Sequence, residues 1–134
     1  MGSKGRRTRR TIKKIKRASG FFAALALLDA CGRPDPPSLG TGGNPARGRI
    51  ALQQYACTTC HVIPGIVGAK GLAGPPLTGW ANRIYIAGLL PNTPDDLVLW
   101  LRDPQRISPG TAMPNLGVTE RDAWDMAAYL FSLK

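Results

Sequence analysis

The chain has 134 residues, with 18 lysines and arginines against eight aspartates and glutamates, and a formal net charge of +10. The length sets an expectation of one folded domain. Such a charge is typical of nucleic-acid or membrane-surface binding, but nine of the basic residues lie in residues 4–17 and residues 31–134 carry a net charge of only +2. Nucleic-acid binding therefore loses its main support.

The N-terminus has the pattern of an export signal. The basic run at residues 4–17 is followed by the apolar run at residues 21–28 and by small residues. Eight apolar residues are too few to cross roughly 30 Å of hydrocarbon, which takes about 20 residues in a helix. The sequence therefore predicts a signal peptide over residues 1–30 rather than a permanent transmembrane anchor.

Cys31 follows this segment in the run Leu28-Asp29-Ala30-Cys31, which resembles a bacterial lipobox. In that motif the cysteine is acylated and becomes the mature N-terminus. Asp29 departs from the pattern, because a small or hydroxyl-bearing residue is usual there. The sequence predicts lipidation at Cys31, and the alternative is an ordinary cleaved signal followed by an incidental thiol.

A composition change separates this region from the folded part. Residues 32–45 contain four prolines and four glycines and almost no bulky apolar side chain, so they cannot form a core. We expect a flexible tether over residues 31–44 and a domain over residues 45–134. About 90 residues is small for a purely apolar core, and a covalently held cofactor would supply missing buried surface.

Three helices are predicted within the domain. The first covers residues 45–56, with Pro45 in its first turn. The second begins at Thr93 or Pro94 and is stopped by Pro104, and the third begins at Thr119 with acidic residues in its first turn. The stretches between them are rich in glycine and proline, and no alternating strand pattern is visible. The predicted fold class is all-α with long loops.

The motif Cys57-Thr58-Thr59-Cys60-His61 carries the chemistry. Its two thiols have the spacing that adds to the two vinyl groups of one haem, and the adjacent histidine reaches the iron. A structural zinc site would need four ligands, and the one further cysteine or histidine is Cys31, across the tether. A thioredoxin-like pair would need a βαβ context. The motif therefore predicts one covalently bound haem c.

A second axial ligand must come from another residue type, because His61 is the one histidine in the chain. Met113, Met126 and Lys70 lie downstream. Met113 occupies a Pro/Gly-rich loop that suits the presentation of a thioether. Met126 lies in the third predicted helix, where core packing is its ordinary role, and Lys70 is flanked by small residues. We expect Met113 to ligate the iron, which raises the reduction potential.

Residues 45–134 resemble a class I cytochrome c domain, most closely the cytochrome c domains of, or associated with, subunit II of bacterial haem-copper oxidases. The general resemblance rests on the Cys57–His61 motif and the Met113 loop; the narrower one rests on residues 74–79, 89–94 and 100–105. It implies three to five helices around one covalently bound haem. No copper-site cluster or transmembrane hairpin precedes the domain, so we expect a separate cytochrome.

The resemblance also implies roles for individual residues. Pro75 matches a residue whose carbonyl accepts a hydrogen bond from the proximal imidazole. Arg83 matches an arginine that pairs with a haem propionate, and Trp100 an aromatic residue beside the methionine ligand. Thr111 matches a position near the Met113 side chain or a propionate. The alternatives are a turn former for Pro75, a solvated side chain for Arg83 and core packing for Trp100.

These features predict a monohaem electron carrier rather than an enzyme, exported and lipid-anchored on the outer face of a bacterial cytoplasmic membrane. The expected donor is a quinol-oxidising complex or a dehydrogenase, and the expected acceptor is a terminal haem-copper oxidase. Neither nucleic acid nor a small-molecule substrate is expected to bind. The alternatives are a dedicated subunit of a dehydrogenase or oxidase, a haem sensor or peroxidase with an open iron site, and an assembly protein stabilised by haem.

Overall fold

Four helices and one small sheet form the part of the chain that the computed structural model describes, which is Gly2 and residues 40–134. The signal peptide over residues 1–30, Cys31 and most of the tether lie outside the described residues and stay predictions. The helices are α1 (Pro45–Gln54), α2 (Pro94–Arg102), α3 (Pro104–Ile107) and α4 (Glu120–Phe131).

The helices begin where the capping residues predict. The side chains of Thr93 and Thr119 each accept a hydrogen bond, at 3.2 Å, from the backbone N–H three residues later. Helix α1 ends at Gln54, two residues earlier than expected, because Ala56 adopts a left-handed conformation with φ of 56°. Pro104 ends α2 as predicted, but it also begins the extra one-turn helix α3.

A small sheet lies between Trp80 and α2. Strands β1 (Tyr85–Ile86) and β2 (Leu90–Pro91) pair antiparallel across a turn in which Ala87 and Gly88 both have positive φ. The sequence showed no strand pattern here, because two-residue strands are too short to display alternation. The sheet is an addition to an otherwise helical fold and does not alter its class.

The first and last helices cross at close range. Gly48 in α1 lies against the backbone of α4, and a Cβ at that position would overlap the carbonyl of Asp125. Gly43, just before α1, has the same relation to the carbonyl of Trp124. Glycine is therefore required at both positions by space rather than by backbone conformation.

A buried carboxylate joins the same two helices. Asp125 is 2% exposed and accepts hydrogen bonds from the Asn44 backbone N–H at 2.6 Å and from Arg47 Nε at 2.7 Å. Burial raises the pKa of Asp125, but these bonds and the positive charge of Arg47 outweigh it, so the net pKa lies below the usual value. Asp125 is therefore ionised at neutral pH and holds the start of α1 on α4.

The apolar faces of α1, α2 and α4 meet in one core with side chains from the connecting loops. Leu97 in α2 and Ala123, Met126 and Ala127 in α4 are completely buried. None of the helices within the described residues is long and apolar enough to cross a membrane.

Candidate functional site

The site begins at the turn that follows α1. The left-handed Ala56 leads into a 3₁₀ turn over Cys57–Thr59, and the His61 backbone N–H donates to the Cys57 carbonyl at 3.0 Å. This turn places both thiols and the imidazole on one short segment. Cys57 and Cys60 are free thiols and partly buried.

Burial raises the pKa of the Cys57 thiol, and it outweighs a local backbone hydrogen bond that lowers it. The raised pKa keeps Cys57 a neutral thiol at pH 7 when no group is bound to it. Within residues 40–134, no three His, Cys, Asp or Glu side chains lie close enough together to hold a metal ion. The zinc alternative gains no support from this part of the chain.

The imidazole of His61 is held by the loop that follows it. Nδ1 lies 2.6 Å from the carbonyl oxygen of Pro75, and since a carbonyl only accepts, Nδ1 carries the proton. Nε2 then has a free lone pair for iron. The Pro75 carbonyl thus lies within hydrogen-bonding distance of the imidazole.

Glycine at position 74 makes room for that arrangement. A Cβ there would lie 2.5 Å from Cε1 of His61, far inside van der Waals contact. The loop is tied to the motif by two backbone hydrogen bonds of 2.8 Å, from Gly74 to the Cys60 carbonyl and from Leu77 to the Val62 carbonyl. The ring orientation is therefore fixed by backbone on one side and by close packing on the other.

The segment that carries Met113 is held from α3. Gln105 Nε2 donates to the carbonyl oxygens of Thr111 at 2.7 Å and Met113 at 2.9 Å, and Gln105 Oε1 accepts from the Gly110 N–H at 3.2 Å. The Met113 side chain is partly buried and packs on the core cluster to which Trp100, 7% exposed, belongs. Met113 and Thr111 are thus held by the same side chain, and Met113 packs on the core that contains Trp100; their roles at the haem stay predictions.

Arg83 lies beside the loop of residues 74–78, which contacts His61. Its guanidinium stacks over the Trp80 ring at 4.8 Å from the centroid and donates to the carbonyls of Pro76 and Thr78. These contacts keep Arg83 close to the segment that holds His61. Its pairing with a propionate stays a prediction.

The two other ligand candidates occupy different settings. Met126 is completely buried in the face of α4 that contacts α1 and α2, where core packing accounts for it. Lys70 is exposed, and its backbone forms an isolated antiparallel bridge with Val62, the residue after His61. Neither setting favours a role as a second iron ligand.

The residues present fit a haem c group. Two unoxidised thiols three residues apart, a histidine with its Nε2 free and a glycine that admits the imidazole form the proximal side. The indole N–H of Trp80 is buried without a partner among the described residues. Haem propionates are acceptors that suit such a donor.

Comparison with known proteins agrees with this geometry. The family model for cytochrome c matches residues 45–134. The chain is 38% identical over 89 residues to cytochrome c oxidase subunit 2 of Alkalihalophilus pseudofirmus, which covers 66% of this chain and 25% of that protein. It is 32% identical over 88 residues to cytochrome c oxidase subunit 2 of a Bacillus species, strain PS3, which covers 63% and 25%. The chain thus spans about a quarter of the length of these curated relatives.

The chain therefore belongs to the cytochrome c family and is a c-type cytochrome that holds haem c covalently. This confirms the fold class and the cofactor predicted from the motif. It also confirms the predicted relation to oxidase subunit II.

Two side chains at this site carry no signal of their role in the sequence. Gln105 lies at the end of the resembling run at residues 100–105, but no local pattern indicates its hydrogen bonds to residues five to eight positions away. The sequence likewise gives no sign that the indole N–H of Trp80 is buried without a partner among the described residues.

Proposed function

We propose that this protein carries single electrons in a respiratory chain, with haem c held between His61 and Met113. The observation that carries the proposal is the contact between His61 Nδ1 and the Pro75 carbonyl. A metal-bound histidine commonly donates its other ring N–H in this way, which fixes the ring and strengthens the ligand. When bound, haem c supplies a one-electron iron couple, and a methionine ligand raises its potential.

The Met113 segment supports electron transfer over catalysis. Met113 is backed by the core cluster that includes Trp100, and its carbonyl is held by Gln105 at 2.9 Å. With its thioether on the iron, Met113 would leave no open position for peroxide or a signalling gas. Rapid carbon monoxide binding to the reduced wild-type protein at neutral pH would instead favour the sensor or peroxidase alternative.

A haem-copper oxidase is the proposed electron acceptor, and a quinol-oxidising complex or a dehydrogenase is the proposed donor. The similarity to two oxidase subunits, over 89 and 88 residues, supports the acceptor. Residues 45–134 carry eight basic and six acidic side chains. This near balance argues for docking that depends little on long-range electrostatic steering.

The acceptor is tested by mixing the pre-reduced holo-protein with a purified bacterial haem-copper oxidase in stopped flow. We expect haem oxidation coupled to oxygen consumption, at a rate that changes little between low and physiological ionic strength. An oxidase that leaves the protein reduced would overturn the proposed acceptor.

A second candidate is a dedicated subunit of a larger complex. The same similarity favours it, because the matching segment forms a quarter of a longer oxidase subunit in both relatives. Purification from membranes in mild detergent separates the two. A stoichiometric oxidase or dehydrogenase partner would identify a subunit, whereas a free cytochrome would identify a carrier.

We further propose that the domain is exported and tethered by a lipid on Cys31, outside the cytoplasmic membrane. The supporting pattern is the basic and apolar run in residues 4–28, with the Pro/Gly-rich segment that follows Cys31. A tether would keep the domain at high effective concentration near membrane complexes. Labelling with a lipid precursor tests this: wild type should be labelled and Cys31→Ser should not. Label that persists in Cys31→Ser would refute it.

A further inference from the structure

The side chain of Gln105 makes three hydrogen bonds to a four-residue segment that ends at Met113. Its amide nitrogen donates to the carbonyls of Thr111 at 2.7 Å and Met113 at 2.9 Å, and its amide oxygen accepts from the Gly110 N–H at 3.2 Å. All hydrogen-bonding capacity of the amide except one lone pair on the oxygen is thus directed at this segment. Among the described residues, no other side chain bonds to the backbone of residues 110–113.

The start of α3, which carries Gln105, is held by packing and by hydrogen bonds. Pro104 is fully buried and fixes the backbone at the start of α3. Asp103 caps α3 by accepting from the Arg106 N–H at 3.2 Å, and the same carboxylate accepts from Asn115 Nδ2 at 3.3 Å. Asp103 and Gln105, on either side of Pro104, therefore hold the loop before and after Met113.

We propose that Gln105 is a positioning residue that keeps the Met113 thioether on the iron and so keeps the sixth coordination position closed to small ligands. This inference rests on the proposed ligation by Met113. Gln105 acts through the loop backbone: it fixes the carbonyls on either side of Ala112, and this fixes the direction in which the Met113 side chain leaves the chain.

The composition of the chain limits which groups can replace the thioether once the hydrogen bonds of Gln105 are lost. Residues 71–133 contain no lysine and no histidine. The loop of residues 110–113, once loosened, therefore brings no strong nitrogen ligand of its own to the iron. Within residues 71–133, an external ligand such as imidazole then competes with Met113 and with no lysine or histidine, so its binding measures how firmly Met113 is held.

The test uses the haem-loaded protein with Gln105→Leu, which removes all three bonds at similar volume, and Gln105→Glu, which keeps the shape but lacks the amide donors. Gln54→Leu, at an exposed position in α1, is the matched control. We expect the affinity of the oxidised protein for imidazole to rise at least tenfold in both Gln105 variants, because each variant loses at least two of the hydrogen bonds that hold the loop. Tenfold corresponds to about 1.4 kcal/mol.

A second readout separates positioning from general destabilisation. In a urea titration, the sulfur-to-iron charge-transfer band of the Gln105 variants should disappear at lower urea than the helical circular dichroism. In Gln54→Leu the separation between these two transitions should equal that of wild type. Imidazole affinity within twofold of wild type in both variants, with the band and the helices lost together, would overturn the inference. If Gln105→Leu does not mature with haem, Gln105→Glu alone decides.

Failure of the inference is distinguishable from failure of the proposed ligation. If Met113→Ala leaves the charge-transfer band and imidazole affinity of the protein unchanged, Met113 is not the ligand and the proposed function is wrong. If Met113→Ala changes both but the Gln105 variants match wild type, the ligation stands and the role of Gln105 is refuted.

Discussion

Gly74→Ala is a direct perturbation of the proximal ligand, because the new methyl group meets the ring of His61. The Cβ would lie 2.5 Å from Cε1 and 2.7 Å from Nδ1, whereas ordinary contact begins near 3.4 Å, so the ring must retreat by about 0.9 Å. The distance from Nδ1 to the Pro75 carbonyl, now 2.6 Å, would then lengthen to as much as about 3.5 Å, where a hydrogen bond is weak or lost. Gly74 does not have a positive φ, so alanine adds no backbone strain.

Two quantities should change. Overpacking costs about 1–3 kcal/mol, and the lost hydrogen bond adds roughly 1 kcal/mol, so we expect the free energy of unfolding to fall by about 2–4 kcal/mol. The reduction potential should rise, because an imidazole without its carbonyl partner is a weaker donor to the oxidised iron.

Urea unfolding and a potentiometric titration of the haem-loaded protein measure both, with the exposed neighbour Ala73→Ser as control. If Gly74→Ala has the stability and potential of that control, the structure does not hold His61 as described.

Three further predictions concern the contacts that hold α1, α4 and the loop after His61 together. Asp125→Ala should lower the free energy of unfolding by about 2–3 kcal/mol at pH 7, because it leaves the buried Asn44 N–H without its acceptor. It also removes the ion pair with Arg47, which contributes under about 1 kcal/mol because the arginine is 46% exposed. Folding lowers the pKa of Asp125, so its contribution to the stability of the fold is full above the unfolded value near 3.8 and is lost as pH falls through the folded pKa. Urea unfolding at neutral and acid pH should therefore show a smaller stability difference between wild type and Asp125→Ala in acid. Gly48→Ala should destabilise by at least about 2 kcal/mol in thermal unfolding, because α1 must move away from α4. Tyr129→Phe should cost about 1 kcal/mol in urea, since the hydroxyl donates to the Pro64 carbonyl at 2.6 Å.

Each of these has a result that would contradict it. A pH-independent Asp125→Ala penalty would mean that the carboxylate charge does not stabilise the α1–α4 contact; the exposed Asp95→Asn supplies the control. Gly48→Ala with wild-type stability would mean that the two helices are not in backbone contact. Tyr129→Phe at or above wild-type stability would mean that the hydroxyl does not stabilise the fold.

The sequence predicts the long elements well because their signals are local. Proline in the first turn, a threonine before it and acidic side chains in the first turn specify the start of α2 within a few residues of chain. The Cys57–His61 motif is local in the same way. For the start of α2 and for the motif, the residues that determine the local structure lie within the segment itself.

The remaining features depend on contacts between distant residues. The Asp125 carboxylate meets the Asn44 N–H across 81 positions of sequence, and the one-turn helix α3 is too short for any periodicity to reveal. Gln105 resembles any polar surface residue until the loop it binds is folded against it. Their energies come from tertiary packing, which no window of sequence contains.

The central claim is that His61 and Met113 are the two axial ligands of a one-electron carrier. The most direct measurement is a potentiometric titration with near-infrared spectra of wild type, Met113→Ala and, as the matched methionine control, Met126→Leu. Ligation by Met113 predicts loss of the sulfur-to-iron band and a lower potential in Met113→Ala alone. A band that persists in Met113→Ala, or one that is lost in Met126→Leu, would contradict it.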